Sequence, residues 1–349
     1  MTQIREDVHA IPTPTEKRGR TRFARGTGAS ALCAAVIAVF AGYAAWAALA
    51  TSGKAPMRPE QAAQTLWAPC NRNAANRKAS TFVPLTDKEA ASLVTAQPEN
   101  RPYNGTAYSI GGDAYPPIND YVPSSAQLRQ FEASKTSAGQ PIVEFNPYLS
   151  HVDGRDGLSN PSTDDLIQWA AHKWGIPENW LRAEYAQESY WNGFQLGDET
   201  DLRSRTHEAY PSQARISSGP SVYQSMGITQ VKWNAEGSVG AGTEPLRWES
   251  TAFNIDYQAA TVRFYYDNPG GARSAWGDSS YGPCQQWNSI GGWFEPYPWG
   301  NAGQKAYVRE VRQHLAHRDW TSSSFEDWTP ASFPPGVRFS YGARRSDAR

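Results

Sequence analysis

Two successive stretches, "STDDLIQWAAHKWG" at 162–175 and "PENWLRAEYAQESY" at 177–190, constrain the fold most, because each carries its own start and stop signals. Ser162 followed by Asp165 is a capping-box arrangement, in which each side chain can accept from the other residue's backbone N–H. Leu166, Trp169 or Ala170, and Trp174 then recur at helical spacing, and Gly175 ends the run. Pro177 suits a helix start, and Trp180 or Leu181, Glu184 or Tyr185, and Glu188 share one face of the helix that follows. Glu188 therefore lies on the stripe expected to face inward. A carboxyl there must be paired, hydrogen-bonded or kept protonated, which is how general acids are made. The plain alternative is that Glu188, near the helix end, reaches solvent past Gly193.

Two more helices are expected downstream. "TAFNIDYQAATVRFYYDN" places Phe253, Ile255, Ala259, Val262 and Tyr266 at helical spacing, and "NAGQKAYVREVRQHLAHRDW" turns Val308, Val311 and Leu315 inward. No strand pattern of comparable strength is present. The reading is a mainly α domain over 161–320, followed by a loosely ordered tail at 321–349. Residues 51–160 are rich in Pro, Gly, Ser and Tyr, with one convincing helix around Ser125 to Lys135. They read as an irregular, aromatic-rich extension, a linker that becomes a wrap over the domain behind it.

Ahead of these lies an uncharged 22-residue stretch, Ala29 to Ala50, preceded by the basic run "KRGRTRFAR". That pairing marks an export signal, either a transmembrane anchor over 29–50 or a signal peptide cut near Ala48-Leu49-Ala50. The length of the apolar run favours the anchor. Residues 1–28 would then be a basic cytoplasmic N-terminus and the remainder extracytoplasmic, membrane-anchored or secreted to the cell wall.

Residues 1–56 hold seven Lys/Arg against three Asp/Glu, so a net charge of −1 for the chain leaves −5 for the rest. No basic surface for nucleic acid is implied. Cys33 sits inside the apolar run, leaving Cys70 and Cys284 as a candidate disulfide in an oxidising compartment. Neither cysteine has a ligand partner at zinc spacing, His314 and His317 read as a solvated helix face, and no metal or other cofactor is expected. The 14 Trp and 17 Tyr fit either stacking platforms for sugars or peptides, or an aromatic core.

Five short motifs fall in one order: "AQES" at 186–189, "MGITQV" at 226–231, "FNIDYQAA" at 253–260, "WNSIGGW" at 287–293 and "YVREV" at 307–311. This order resembles the soluble lytic transglycosylase domain, a lysozyme-like fold, over about residues 165–316. The resemblance implies an enzyme acting on peptidoglycan glycan strands, with Glu188 as its single acid/base. It also implies that Gly227, Ile228 and Gln230 line a cleft floor, that Trp287 and Asn288 stand where the family has Tyr and Asn, and that Tyr307 matches the last motif. Ser189 and Tyr190, adjoining the acid, join the expected substrate-binding set.

Gln230 and Asn288 can each donate and accept, which fits N-acetyl and hydroxyl groups, or else caps a helix or satisfies buried backbone. Tyr190, Trp191, Trp233 and Trp293 could be stacking platforms or core. Glu184, one turn before Glu188, reads as an ordinary helix position, exposed or paired with Arg182 or Lys173. Glu208, Glu236, Glu244 and Glu249 are the other nearby acids.

Two departures from the family pattern matter. Glu188 and Gln230 are 42 positions apart, and the polar, turn-forming insertion at 197–225 fills the gap and should border the cleft. Asp198 or Asp201 on it could act as a second carboxylate, making the enzyme a hydrolytic muramidase. Gly-Ile-Thr-Gln and Trp-Asn also replace the usual Gly-Leu-Met-Gln and Tyr-Asn. A non-catalytic glycan-binding wall module is the alternative from another class.

Overall fold

The computed structural model describes residues 82–95, 108–110, 113–115, 118–136, 138–154, 156–201, 215–218, 221–232, 240–267, 286–295, 300–322, 325 and 337–340. The apolar run 29–50, Cys33, Cys70, Cys284, Glu208, Trp233 and Glu236 lie outside them. Among the described residues no helix is long and apolar enough to cross a membrane.

The described architecture is mainly helical. Three short helices, α1 (Asp87–Ala91), α2 (Ser125–Glu132) and α3 (Ile142–Phe145), precede the long pair α4 (Thr163–Trp174) and α5 (Glu178–Ser189). After them come α6 (Leu246–Glu249), α7 (Thr251–Asp267), α8 (Gln286–Phe294) and α9 (Ala302–His317). Helix α4 begins with the expected capping box between Ser162 and Asp165 and stops at Gly175, which takes the left-handed conformation. Pro177 is the N-cap of α5.

Helix α7 is the hub, because every residue from Thr251 to Tyr266 is buried. Its apolar positions join Trp169, Trp174, Tyr185 and Ile228 in one core, while Asn254, Asp256, Gln258 and Arg263 are buried too and need partners. Trp169, Trp174, Trp191, Trp248 and Trp320 are all buried, so much of the tryptophan content serves the core. Trp191 donates its indole N–H to the Arg182 carbonyl at 3.1 Å and is not an open platform.

The extension holds more helix than the single segment expected, and it contributes to the core. Thr86 and Glu89 form a capping box on α1, and Phe131, Ile142, Tyr148, Leu149 and Val152 are buried against the long helices. An ion cluster fixes it in place. Lys173 Nζ contacts Asp87 Oδ1 at 2.7 Å, Asp153 Oδ1 at 3.4 Å and Asp256 Oδ2 at 2.8 Å, while Trp174 Nε1 donates to Asp256 Oδ1 at 2.7 Å. Burial alone would push Lys173 down, but the three carboxylates hold it above the ordinary lysine range.

The largest correction concerns strands. The segment read as a polar, turn-forming insertion builds three strands of a five-stranded antiparallel sheet, β3 (Leu196–Asp201), β4 (Arg215–Ser218) and β5 (Ser221–Met226), and β6 (Val231–Lys232) follows after the next turn. The fifth strand, β7 (Val337–Ser340), comes from the tail read as loosely ordered, and pairs with β4 from Arg215↔Ser340 to Ser218↔Val337. The order is β3-β5-β4-β7, with β6 also on β5; a separate hairpin joins β1 (Tyr108–Ile110) to β2 (Asp113–Tyr115). The physical reason is that these strands draw their stability from backbone ladders between distant segments, which a search for local apolar alternation does not register.

Candidate active site

The last two turns of α5 carry Glu184, Tyr185, Glu188 and Ser189, and α9 crosses them with Tyr307. The Tyr307 hydroxyl lies 2.5 Å from Glu188 Oε1 and 3.5 Å from Glu184 Oε1. Glu188 is half-buried, and Oε2 has no hydrogen-bond partner among the described residues. Burial pushes its carboxyl up to about 8; the Tyr307 hydrogen bond opposes that rise and the charge of Asp198 adds to it. A carboxyl with this setting holds its proton at neutral pH and has one oxygen open to a substrate.

Ser189 ties this helix end to the turn after β5 by donating to the Ile228 carbonyl at 2.7 Å. Asn254 clamps the same turn from α7. Its Oδ1 accepts from Thr229 N at 2.9 Å and Thr229 Oγ1 at 2.7 Å, and its Nδ2 donates to the carbonyls of Met226 at 2.9 Å and Arg247 at 2.6 Å. Gly227 has φ +83°, and a Cβ there would meet Asn254 Nδ2 at 2.5 Å, so the close approach of the turn to α7 requires glycine. The 42-position gap therefore does not separate the two motifs: the acid and the Gly227–Gln230 turn are stapled together through Ser189.

Gln230, itself at φ +54°, donates from Nε2 to the carbonyls of Gln195 at 3.1 Å and Gly227 at 2.8 Å, so its amide nitrogen serves the turn. Its carbonyl oxygen lies against Gly197 in β3. Next in that strand is Asp198, half-exposed, which accepts from Ser225 Oγ at 2.5 Å and pairs with Lys232 Nζ at 3.2 Å. Asp201, at the far end of β3, pairs in register with Ser221.

The remaining expected site residues are more dispersed. Tyr190 is exposed and packs its ring near His314 and Phe325. Trp287 stacks on Trp180 with ring centroids 4.0 Å apart and has the Arg312 guanidinium 4.3 Å from its centroid, which occupies ring surface that a sugar would need. Asn288, next in α8, is half-buried. Trp293 donates to the Thr229 carbonyl at 3.0 Å, and Phe294, exposed, stacks on the Tyr307 ring at 5.0 Å.

Two readings of individual residues need correcting. Glu184 is neither exposed nor ion-paired: it is fully buried, Arg182 is committed to Asp164 and Glu178, and Lys173 to its three aspartates. His314 is not part of a solvated face, since Nδ1 lies 2.6 Å from Asp319 Oδ2 and Nε2 3.1 Å from Gln187 Oε1; His317 is exposed. Glu244 and Glu249 are engaged with Arg247 and Gln127 respectively.

Among the described residues, one group of three carboxylates lies close enough to share an ion, Asp87, Asp153 and Asp256, and the Lys173 ammonium already sits among them. Neither a family model nor any curated protein or solved structure matches the chain. The functional reading therefore stands on the site itself. The roles of Asn254 and Gln258, both within the "FNIDYQAA" motif, and of Phe294, with the buried state of Glu184, were missed from sequence; the available signal was the series of polar residues Asn254, Asp256 and Gln258 interleaved with the apolar positions of one helix.

Proposed function

We propose that the chain is a peptidoglycan lytic transglycosylase of lysozyme-like fold, which cleaves the bond between N-acetylmuramic acid and N-acetylglucosamine with Glu188 as acid/base. It would act outside the cytoplasm, held by the 29–50 segment or released to the cell wall. The observation that carries the reading is the Glu188 carboxyl, held protonated up to about pH 8 by burial, with Tyr307 on Oε1 and Oε2 open. The order of the five motifs supports it.

The chemistry needs one carboxyl. Glu188 Oε2 gives its proton to the leaving glycosidic oxygen as the C1–O bond breaks, and the sugar's own 2-acetamido oxygen stabilises the cation at C1. The 6-hydroxyl oxygen then attacks C1, its proton returns to Glu188, and a 1,6-anhydro ring closes without water. Tyr307 fixes which oxygen carries the proton, and the Gly227–Gln230 turn, stapled through Ser189, would form the floor under the sugar.

One observation favours a second reading. Asp198 is half-exposed and its charge reaches Glu188, so a hydrolytic muramidase would use it to orient water. Mass spectrometry of purified wall digested by wild type and by Glu188→Gln tests both. Anhydro ends from wild type and none from Glu188→Gln are expected. Reducing ends point to the hydrolase, binding without cleavage by wild type to a glycan-binding module, and undiminished turnover by Glu188→Gln sinks the assignment.

A further inference from the structure

We infer that Glu184 is a positioning residue for the acid: a protonated carboxyl that donates to the Tyr307 hydroxyl, which in turn donates to Glu188 Oε1. This rests on the reading of Glu188 as the acid/base. Glu184 has no solvent exposure, and no described cation contacts it, because Arg182 and Lys173 are committed elsewhere. An ionised carboxyl in that position would be a lone buried charge beside a second carboxyl one helical turn away.

The hydrogen-bond count leads to the same arrangement. A phenol has one proton and can both donate and accept. Tyr307 lies between two carboxyls, 2.5 Å from Glu188 Oε1 and 3.5 Å from Glu184 Oε1. If it donates to the nearer one it can only accept from the farther one, so a hydrogen bond with Glu184, whose 3.5 Å separation has still to tighten, draws its proton from Glu184. Two carboxylates competing for one phenolic proton, with no cation to offset them, is the costlier alternative.

The neighbours on every packed element fit a neutral Glu184. From α7, the Gln258 amide lies beside Glu184 near enough to favour its charged form, yet Glu184 Oε2 and Gln258 Nε2 reach no hydrogen-bond geometry. Tyr185 donates to Gln258 Oε1 at 2.9 Å, and Asp256, also on α7, is neutralised by Lys173. From α9, Glu310 and His314 both bond to Gln187 and not to Glu184. From β3, Asp198 acts on Glu188. Burial first, and then the charge of Glu188, push Glu184 well above the ordinary glutamate range.

The consequence lies in the step after proton donation. Glu188 then carries a full negative charge, and a Tyr307 hydroxyl that is itself receiving a hydrogen bond is a stronger donor to it. No proton leaves Glu184 or Tyr307; the travelling proton belongs to Glu188 alone.

Infrared spectroscopy of the carboxylic-acid carbonyl stretch tests this on the full chain without requiring turnover. Bands are assigned to Glu188 and Glu184 by their loss in Glu188→Gln and Glu184→Gln. The Glu184 band should persist to higher pH than the Glu188 band. Glu184→Gln, which keeps an N–H donor, should leave the Glu188 midpoint in place, whereas Glu184→Leu should raise it by about one pH unit and lower kcat for wall digestion roughly tenfold with KM unchanged. Loss of the Glu184 band below the Glu188 midpoint overturns the inference, as does a Glu188 midpoint lowered by Glu184→Gln or unmoved by Glu184→Leu. A wild type that gives the expected titrations but leaves wall uncut overturns the glycan-cleavage reading and leaves the hydrogen-bond chain standing.

Discussion

Glu188→Gln should stabilise the protein at alkaline pH and not at acid pH. The carboxyl's ordinary value is 4.5 and its folded value about 8, so the folded state keeps a proton that the unfolded chain releases across that window. A group raised on folding contributes its stability below the unfolded value and loses it as pH rises through the folded one. With those two values, linkage gives an upper figure of about 4 kcal/mol lost by pH 8, and solvent access to Oε2 reduces this to about 2–3 kcal/mol. Glutamine keeps an oxygen for Tyr307 to donate to and carries no charge to desolvate. Urea unfolding of wild type and Glu188→Gln across pH 4.5 to 8 measures the difference. Glu184, Asp87, Asp156 and Asp256, all raised by burial, titrate in both proteins and largely cancel. The two should be equally stable near pH 4.5 and diverge above it, with the variant the more stable. A constant offset at all pH values refutes a buried, destabilising acid at 188.

Three further perturbations probe the supporting structure. Lys173→Met leaves Asp256 buried without its cation and should cost about 3–5 kcal/mol near neutral pH by urea unfolding, with a smaller deficit in acid where Asp87 and Asp256 can protonate. Asn254→Ala strips the donors and acceptors from the Gly227–Gln230 turn, and about 3–4 kcal/mol of unfolding free energy should go with them. Asp198→Asn removes a charge that raises Glu188, so the alkaline limb of wall digestion should move to lower pH; unchanged anhydro products would exclude Asp198 as a required second carboxylate.

The parts legible in sequence were those that local chemistry decides. Ser162, Gly175 and Pro177 mark helix ends through groups within a few residues, and the inward placement of Glu188 follows from spacing alone. Lys173 was read only as a possible partner of Glu184, because its actual partners Asp87 and Asp256 lie 86 and 83 positions away. Glu184 was misread for a related reason: whether a carboxyl on the edge of a stripe is exposed depends on what crosses it, here Tyr307 on α9, 123 positions later. The strands escaped notice because Leu196–Asp201 and Arg215–Ser218 are polar and their ladders join segments distant in sequence.

The pairing of β4 with β7 has a kinetic corollary. Joining 215–218 to 337–340 closes a loop of well over a hundred residues, whereas α4 and α5 adjoin in sequence and need almost no chain search. Refolding from denaturant should therefore regain helical ellipticity first, while the sheet beside Glu188 is completed last. On the proposed function, competence to cut glycan would then lag behind the recovery of secondary structure, leaving a helical but inactive phase between the two.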